Sequence, residues 1–406
     1  MPHVVAGLAA ETSVVVPDQN LQNQGIEVVV GDAVRLETGQ RRVTLADGSL
    51  ISYDKLFLAT GASPVVPPIE GRDLDGVLTL RGLPCACKIK EAFATGRPKR
   101  IVFVGAGFIT LEVASLLMAA NPDTLDVTIV ELLDRPLPLM LDADMAALVR
   151  SHLEEKGLKI LTGERVDKIL GREGKVSGVA LASGRQLPAD LVLMNIGTRP
   201  NVELAQEAGL EMGRFGIKVN CYQETSDPHI LAGGDCVEKF HLITGKPVPG
   251  QLRGPAVIQG RLAAKRLAGY AIPFPGVLNA GGCQCFDCVA TSTGLTEEEA
   301  AKEGFDTVSA TVDSRSKHGM IPGAQTWRLK LVFNKNNHKL IGGQVVAQAV
   351  VSAKAIDTVS ALIWGGKTVE DITTHMCACN PDISSEPSLE PISIAAEQAL
   401  QKLVAV

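Results

Sequence analysis

Short apolar runs broken by glycine turns dominate the chain, and one leads into a longer apolar stretch. Ile101–Gly105 (IVFVG) reads as a buried strand, being short, β-branched and closed by glycine. The apolar positions after the Gly-x-Gly turn predict a helix to Ala120, and VTIVE, ending at Glu131, predicts a second strand. Together they form a strand–turn–helix–strand unit of roughly 30 residues. Ile101–Ala120 is long enough to span a bilayer. Glu112 sits in its middle, however, and two glycines stand where a strand turns into a helix, so a membrane span is rejected.

The pattern is duplicated. Gly25 matches Gly157 and Gly31 matches Gly163 at one offset. Gly48 matches Gly184, Asp54 matches Asp190, Gly61 matches Gly197 and Pro64 matches Pro200 at an offset four residues longer. Each copy predicts a small antiparallel set whose VTL or VAL alternation precedes an Asp47-Gly48 or Ser183-Gly184 turn. An apolar strand follows, Leu56–Ala59 or Leu191–Asn195. At the same offset, the first copy's counterpart of the Ile101 unit falls before residue 1, so the first copy is read as lacking its first βαβ unit. A misplaced start, a true truncation and a separate chain carrying the missing unit all accord with the repeat.

Beyond the second copy, Gly216–Tyr270 holds a strand (ILAGGDCV) and a helix (GPAVIQGRLAAKRLAG). From Gly276 the pattern shifts to strands, among them Thr326–Asn334 and Leu340–Val346, with a helix over Ser352–Trp364; this predicts a separate α+β domain.

Composition narrows the function classes. The 406 residues suggest two to three domains. Apolar content of 46% argues against disorder as a class. A net charge of −6 argues against nucleic acid as partner. Nine cysteines without a visible secretory signal point to reduced thiols in the cytoplasm.

The chemistry centres on Gly105-Ala106-Gly107-Phe108-Ile109-Thr110. Gly105 permits a tight turn, and Gly107 lets backbone amides approach a pyrophosphate at the helix N-terminus. The third position of the fingerprint is Thr110, where Gly or Ala packs more closely. Glu131 ends the next strand and is expected to accept both ribose hydroxyls, favouring NADH over NADPH, with Arg135 nearby.

These residues resemble the two-dinucleotide-fold flavoprotein disulfide reductases, in the branch of NADH oxidases, coenzyme A disulfide reductases and persulfide reductases. The resemblance rests on Tyr53-Asp54-Lys55 with Ala59-Thr60-Gly61-Ala62, the glycine fingerprint with Leu111-Glu112, and Gly197-Thr198-Arg199-Pro200-Asn201. Thr225-Ser226-Asp227-Pro228 with Ala232-Gly233-Gly234-Asp235-Cys236 completes it. It implies an α/β flavoprotein with a truncated FAD domain, a complete Rossmann-like NAD domain and a C-terminal α+β dimerisation domain. The implied boundaries are 1–80 for the FAD-domain remnant, 81–205 for the NAD domain, 206–275 for the FAD return segment and 276–406 for dimerisation.

The resemblance also implies site residues. Asp235 would bond the FAD ribitol, Thr60 and Gly61 would line the FAD site, and Val34 would meet the adenine through its backbone. Gly105, Gly107, Ile109 and Glu131 would hold NADH, Glu112 would lie near the nicotinamide–flavin contact, and Gly197 would close over NADH. The family's first glycine fingerprint and the redox cysteine after it are not found. The His-Pro pair of related reductases is replaced by Asn380-Pro381; Asn380 cannot act as an acid at neutral pH, and His375 is the candidate substitute.

Cysteines cluster at Cys85/Cys87, Cys283/Cys285/Cys288 and Cys377/Cys379. Two readings stand for them: a thiol relay or a soft-metal or iron–sulfur site, or small buried packing residues. Cys283 and Cys285 share a face if their segment is extended. Zinc spacing is not found, and no metal is assigned. His241 and His318 read as surface or helix-edge residues, and Trp327 and Trp364 as core or interface.

The expected activity is transfer of hydride from NADH to FAD and onward to a disulfide, persulfide or dioxygen, in a homodimer. Glu112, His375, Cys377 and Cys379 are the candidate catalytic groups. The alternative is a flavin-free, truncated NADH-binding or regulatory dimer without catalytic activity.

Overall fold

The fold is described from a computed structural model, for residues 1–96 and 98–404. It divides into two compact units, one of Met1–Ala10, Val66–Ile196 and Ala280–Val406, the other of Glu11–Val65 and Gly197–Asn279.

The first unit carries a five-stranded parallel sheet in the order Val77–Thr79, Leu191–Met194, Arg100–Val104, Asp126–Val130, Lys159–Leu161. Both faces are covered, which is why its strands read as continuous apolar runs. The Phe108–Ala120 helix follows the Arg100 strand directly and buries Leu111, Val113, Ala114 and Leu117. Val4 and Val5, on a short helix at Pro2–Val5, are buried in the same core. A three-stranded antiparallel sheet, Val166–Arg172, Lys175–Leu181 and Gln186–Pro188, is the second copy's hairpin set.

The same unit contains a five-stranded antiparallel sheet in the order Gly281–Cys285, Cys288–Gly294, Leu340–Ala347, Thr326–Asn334, Thr307–Arg315. The predicted helix over Ser352–Trp364 is two helices, Val350–Ala353 and Ala355–Trp364, broken at Lys354. Buried Lys330 joins Asp142, Asp144 and Glu297, fastening the loop after the Glu131 strand to this sheet.

The second unit repeats the hairpin set as Ala33–Glu37, Arg42–Leu45 and Leu50–Ser52. Its parallel pairing is between Leu56–Leu58 and Ile230–Ala232. Its core joins Leu36 and Leu58 to Ala205, Ile217, Ile230 and Val237.

The units cut across the expected boundaries. The span 1–80 does not stay together: Val77–Thr79 hydrogen-bonds to the Leu191 strand, and Met1–Ala10 packs with the first unit. Residues 197–205, expected with the NAD domain, belong to the second unit because Thr198–Pro200 pairs antiparallel with Ala62–Pro64.

Candidate functional site

The Gly105–Gly107 turn is fixed by its backbone. Gly105 has φ +93°, and a Cβ there would lie 2.8 Å from the Asn195 carbonyl, so only glycine fits. Gly107 differs: φ is −76°, and a Cβ would meet nothing within 4 Å. Its glycine is therefore not demanded by protein contacts, and it leaves open space at the helix start. The Phe108–Ala120 helix has no side-chain cap at Gly107, so the Phe108 and Ile109 amides have no intrahelical partner.

Glu131 is 7% exposed and oriented by two backbone amides. Its Oε2 accepts from Ala106 N at 2.6 Å and its Oε1 from Leu133 N at 2.8 Å. One acceptor direction of each oxygen is used by these amides, and one on each remains. Leu137 N donates to Ala106 O at 3.0 Å, bracing the turn from the other side. Arg135 does not face the turn as a free cation. Its guanidinium bonds Glu298 at 2.7 Å, Asp134 at 2.9 Å and the Leu141 carbonyl at 3.1 Å. Thr110 is fully buried, and its Oγ1 has no hydrogen-bond partner.

Glu112 lies one turn into the same helix. Burial raises its pKa, against the hydrogen bond it accepts from the Gln284 backbone. Gln284 stands between Cys283 and Cys285, whose sulfurs are 3.7 Å apart and both buried. Cys288 sits opposite Cys285 across a tight hairpin, its thiol pushed up to about 12 by burial. All three pack in the core, and the Cys285 contact together with burial pushes the Cys283 thiol up as well. Among the described residues no group of three or more His, Cys, Asp or Glu is arranged to hold a metal.

In the second unit, Thr60 and Asn201 are cross-linked. Thr60 Oγ1 donates to Asn201 O at 2.6 Å, and Asn201 Nδ2 donates to Thr60 O at 2.9 Å. Gly61 and Gly197 have φ +70° and +115°, each with open space where a Cβ would be. Val34 falls at a register shift between Ala33 and Arg35, so its backbone is off the ladder.

Asp235 is 9% exposed and follows the Ile230–Ala232 strand. Its turn is held by two groups the sequence did not single out. Gln259 accepts from Gly234 N at 3.0 Å, and Lys239 Nζ donates to Gly234 O at 2.6 Å. Lys239 is 2% exposed, and burial lowers its pKa against the nearby Asp235 charge. A buried carboxylate after a parallel strand, with the uncapped Arg253–Leu267 helix beyond it, fits the ribitol and pyrophosphate of a flavin dinucleotide.

His375 and Cys377 line one cleft of about 440 Å³ in the first unit. Cys379 is exposed beside it, and Asn380 closes a local turn by accepting from Asp382 N. His241 corrects the surface reading: it is 3% exposed, with Nδ1 accepting from Ile243 N. Trp327 is buried, and Trp364 lies on the surface.

A glycine turn opening a helix, an acid held at the end of the next strand, and a second glycine-Asp turn define a dinucleotide-binding oxidoreductase fold. A family model described as pyridine nucleotide-disulphide oxidoreductase matches residues 1–253, and one for the dimerisation domain of that family matches 282–390. The chain belongs to the pyridine nucleotide-disulphide oxidoreductase family. It is 38% identical to an NADH oxidase of Methanocaldococcus jannaschii, over 87% of this chain and 77% of that protein. It is 33% identical to a CoA-dependent NAD(P)H sulfur oxidoreductase of Pyrococcus furiosus, over 98% of this chain and 88% of that protein. Among solved structures, a NAD-dependent persulfide reductase from A. fulgidus matches with TM-score 0.93 and 36% identity, covering 100% of this chain and 76% of its own.

Proposed function

We propose that the chain is an NADH-dependent FAD oxidoreductase acting on a disulfide, a persulfide or dioxygen. The observation that carries the nucleotide part is the open space at Gly107 beside an uncapped helix start. The Gly107, Phe108 and Ile109 amides hold the pyrophosphate, where the helix dipole favours an anion. Glu131, already fixed by Ala106 and Leu133, offers its remaining lone pairs to the ribose. Its charge repels a 2′-phosphate, and Arg135 is engaged by Glu298, so NADH is preferred over NADPH.

Asp235, steadied by Lys239 and Gln259, holds the flavin ribitol; Thr60 and Gly61 line that site, and the free backbone at Val34 meets the adenine. Glu112, whose pKa burial raises, presents its carboxyl near the nicotinamide. A flavin bound there would supply the redox chemistry between NADH and the final acceptor. The names of the M. jannaschii and P. furiosus relatives support dioxygen and sulfur compounds as acceptor classes.

The match to the dimerisation domain supports a homodimer, as do exposed Trp364, Met376, Ile383 and Leu389 in the 280–406 region. None of the described helices is long and apolar enough to cross a membrane. Nine free cysteines support the cytoplasm as the setting. Calorimetric titration with NADH and NADPH tests the nucleotide reading: tighter binding of NADH supports it, and equal or reversed affinities contradict it. The flavin-free alternative draws on the single parallel strand pair of the second unit.

A further inference from the structure

Arg135 is the only cation between Glu131 and Asp142, and a carboxylate from a distant part of the chain holds its side chain inward. The stretch that carries it is pinned on both sides. Leu133 N donates to Glu131 Oε1 at 2.8 Å, and Leu137 N donates to Ala106 O at 3.0 Å. The Arg135 backbone therefore stands two residues from a group fixed on the acid and two from a group fixed on the glycine turn.

The side chain is 9% exposed. Its Nε donates to Leu141 O at 3.1 Å, Nη1 to Asp134 at 2.9 Å and Nη2 to Glu298 at 2.7 Å. Leu141 O carries no charge, and Asp134 is 74% exposed and adjacent in sequence, so it can move with the guanidinium. Glu298 is the one carboxylate on a separate element within ion-pair distance, among the described residues. That element is well fixed. Glu298 lies in the first turn of the Glu297–Lys302 helix, where a capping box joins Thr296 to Glu299. Its neighbour Glu297 takes Lys330 at 2.5 Å with its carboxylate and donates from its backbone to Asp142 at 3.0 Å. Lys302 is 3.9 Å from Glu298 and 76% exposed, so it is no substitute for Arg135.

We propose, on the reading of the Gly105–Gly107 turn and Glu131 as the pyridine-nucleotide site, that Glu298 is a specificity-determining residue for the nucleotide. By holding Arg135 inward it withholds the cation that a 2′-phosphate requires, and the site keeps its preference for NADH. Glu131 repels a 2′-phosphate by its own charge. Glu298 touches no nucleotide and acts through Arg135, so it is a positioning residue. An arginine that loses its carboxylate while buried is left with an uncompensated charge, which favours turning outward. Turned outward, the guanidinium offers paired N–H donors that suit a phosphate. Part of the discrimination is thereby exerted from the Ala280–Val406 segment, 163 residues along the chain from Arg135.

The test is calorimetric titration of the full chain with NADH and with NADPH, for the parent, Glu298→Ala, Arg135→Gln and the double variant. Glu298→Ala is expected to raise NADPH affinity relative to NADH by at least about tenfold. Arg135→Gln alone leaves the parent ratio in place, and the double variant returns to it. Glu298→Gln keeps an acceptor without the charge, and serves where Glu298→Ala does not fold; it shifts the ratio the same way by a smaller factor. A purely structural Glu298 would weaken both nucleotides alike and leave the ratio fixed, which would overturn the proposal. A raised ratio that persists in the double variant would also overturn it, because Glu298 would then act by its own charge. A parent that binds neither nucleotide would contradict the reading of the site itself, and the proposal would fall with it.

Discussion

Glu131 accepts a hydrogen bond from the backbone amide of Ala106 at 2.6 Å, so the acid at the end of one strand holds the middle of the glycine turn at the end of another. The sequence spacing presents Glu131 as a ligand to the ribose. In the folded chain it is first a strut for the turn, and any ribose contact uses what remains of its acceptor capacity.

Glu131→Gln replaces one acceptor oxygen with a donor that faces a backbone N–H. The expected cost is about 2 kcal/mol of stability, the scale of a lost hydrogen bond to a charged group. NADH affinity should fall as well. Urea unfolding with and without NADH checks both. Weaker binding at unchanged stability would show that the strut carries no weight.

The two glycines of the turn are predicted to fail differently. Gly105→Ala forces a Cβ against the Asn195 carbonyl at positive φ, costing on the order of 2–3 kcal/mol. Gly107→Ala meets no protein atom, so the melting temperature should hold while NADH binding weakens at least about tenfold. Parallel thermal melts and calorimetry distinguish these outcomes. A destabilised Gly107→Ala protein would mean that its glycine serves the fold.

Thr110→Val removes a buried hydroxyl without a partner and keeps the side chain's shape. Stability should rise by about 1 kcal/mol, the lower end of the penalty for a buried unsatisfied group. A fall on denaturant unfolding would reveal a hydrogen bond that the hydroxyl makes.

Glu112 gives a pH signature. Its folded pKa lies above the ordinary 4.5, so the native state keeps a proton that the unfolded chain has released. Between those two values the native state binds more protons, and stability falls as pH rises. Glu112→Gln removes that fall. Its stability relative to the parent should therefore grow from acidic pH upward and level off above the raised pKa. A difference independent of pH would contradict the burial of the carboxyl.

Much of this was readable in the sequence, and the misses have physical causes. The Arg100 strand, Phe108 helix and Asp126 strand follow from apolar periodicity closed by glycine. The twin hairpin sets follow from the repeat. Periodicity does not say which strand pairs with which, so the membership of Val77–Thr79 in the parallel sheet was not visible. His241 is a lone polar residue just after the short Lys239–Phe240 strand and reads as surface, and Lys239 carries no motif that singles it out. Their burial depends on backbone carbonyls and amides of the Gly234 and Ile243 turns, partners that carry no side-chain signal. The 3.7 Å approach of Cys377 and Cys379 is set by a loop conformation, and the cleft beside them is assembled from segments far apart in the chain.

The most direct test of the flavin–nicotinamide account is an anaerobic visible spectrum of the full chain after incubation with FAD and desalting, followed by addition of NADH. The account predicts a retained flavin band that bleaches with NADH and returns on adding a disulfide, a persulfide or air. A colourless protein that still binds NADH would contradict it and favour the flavin-free dimer.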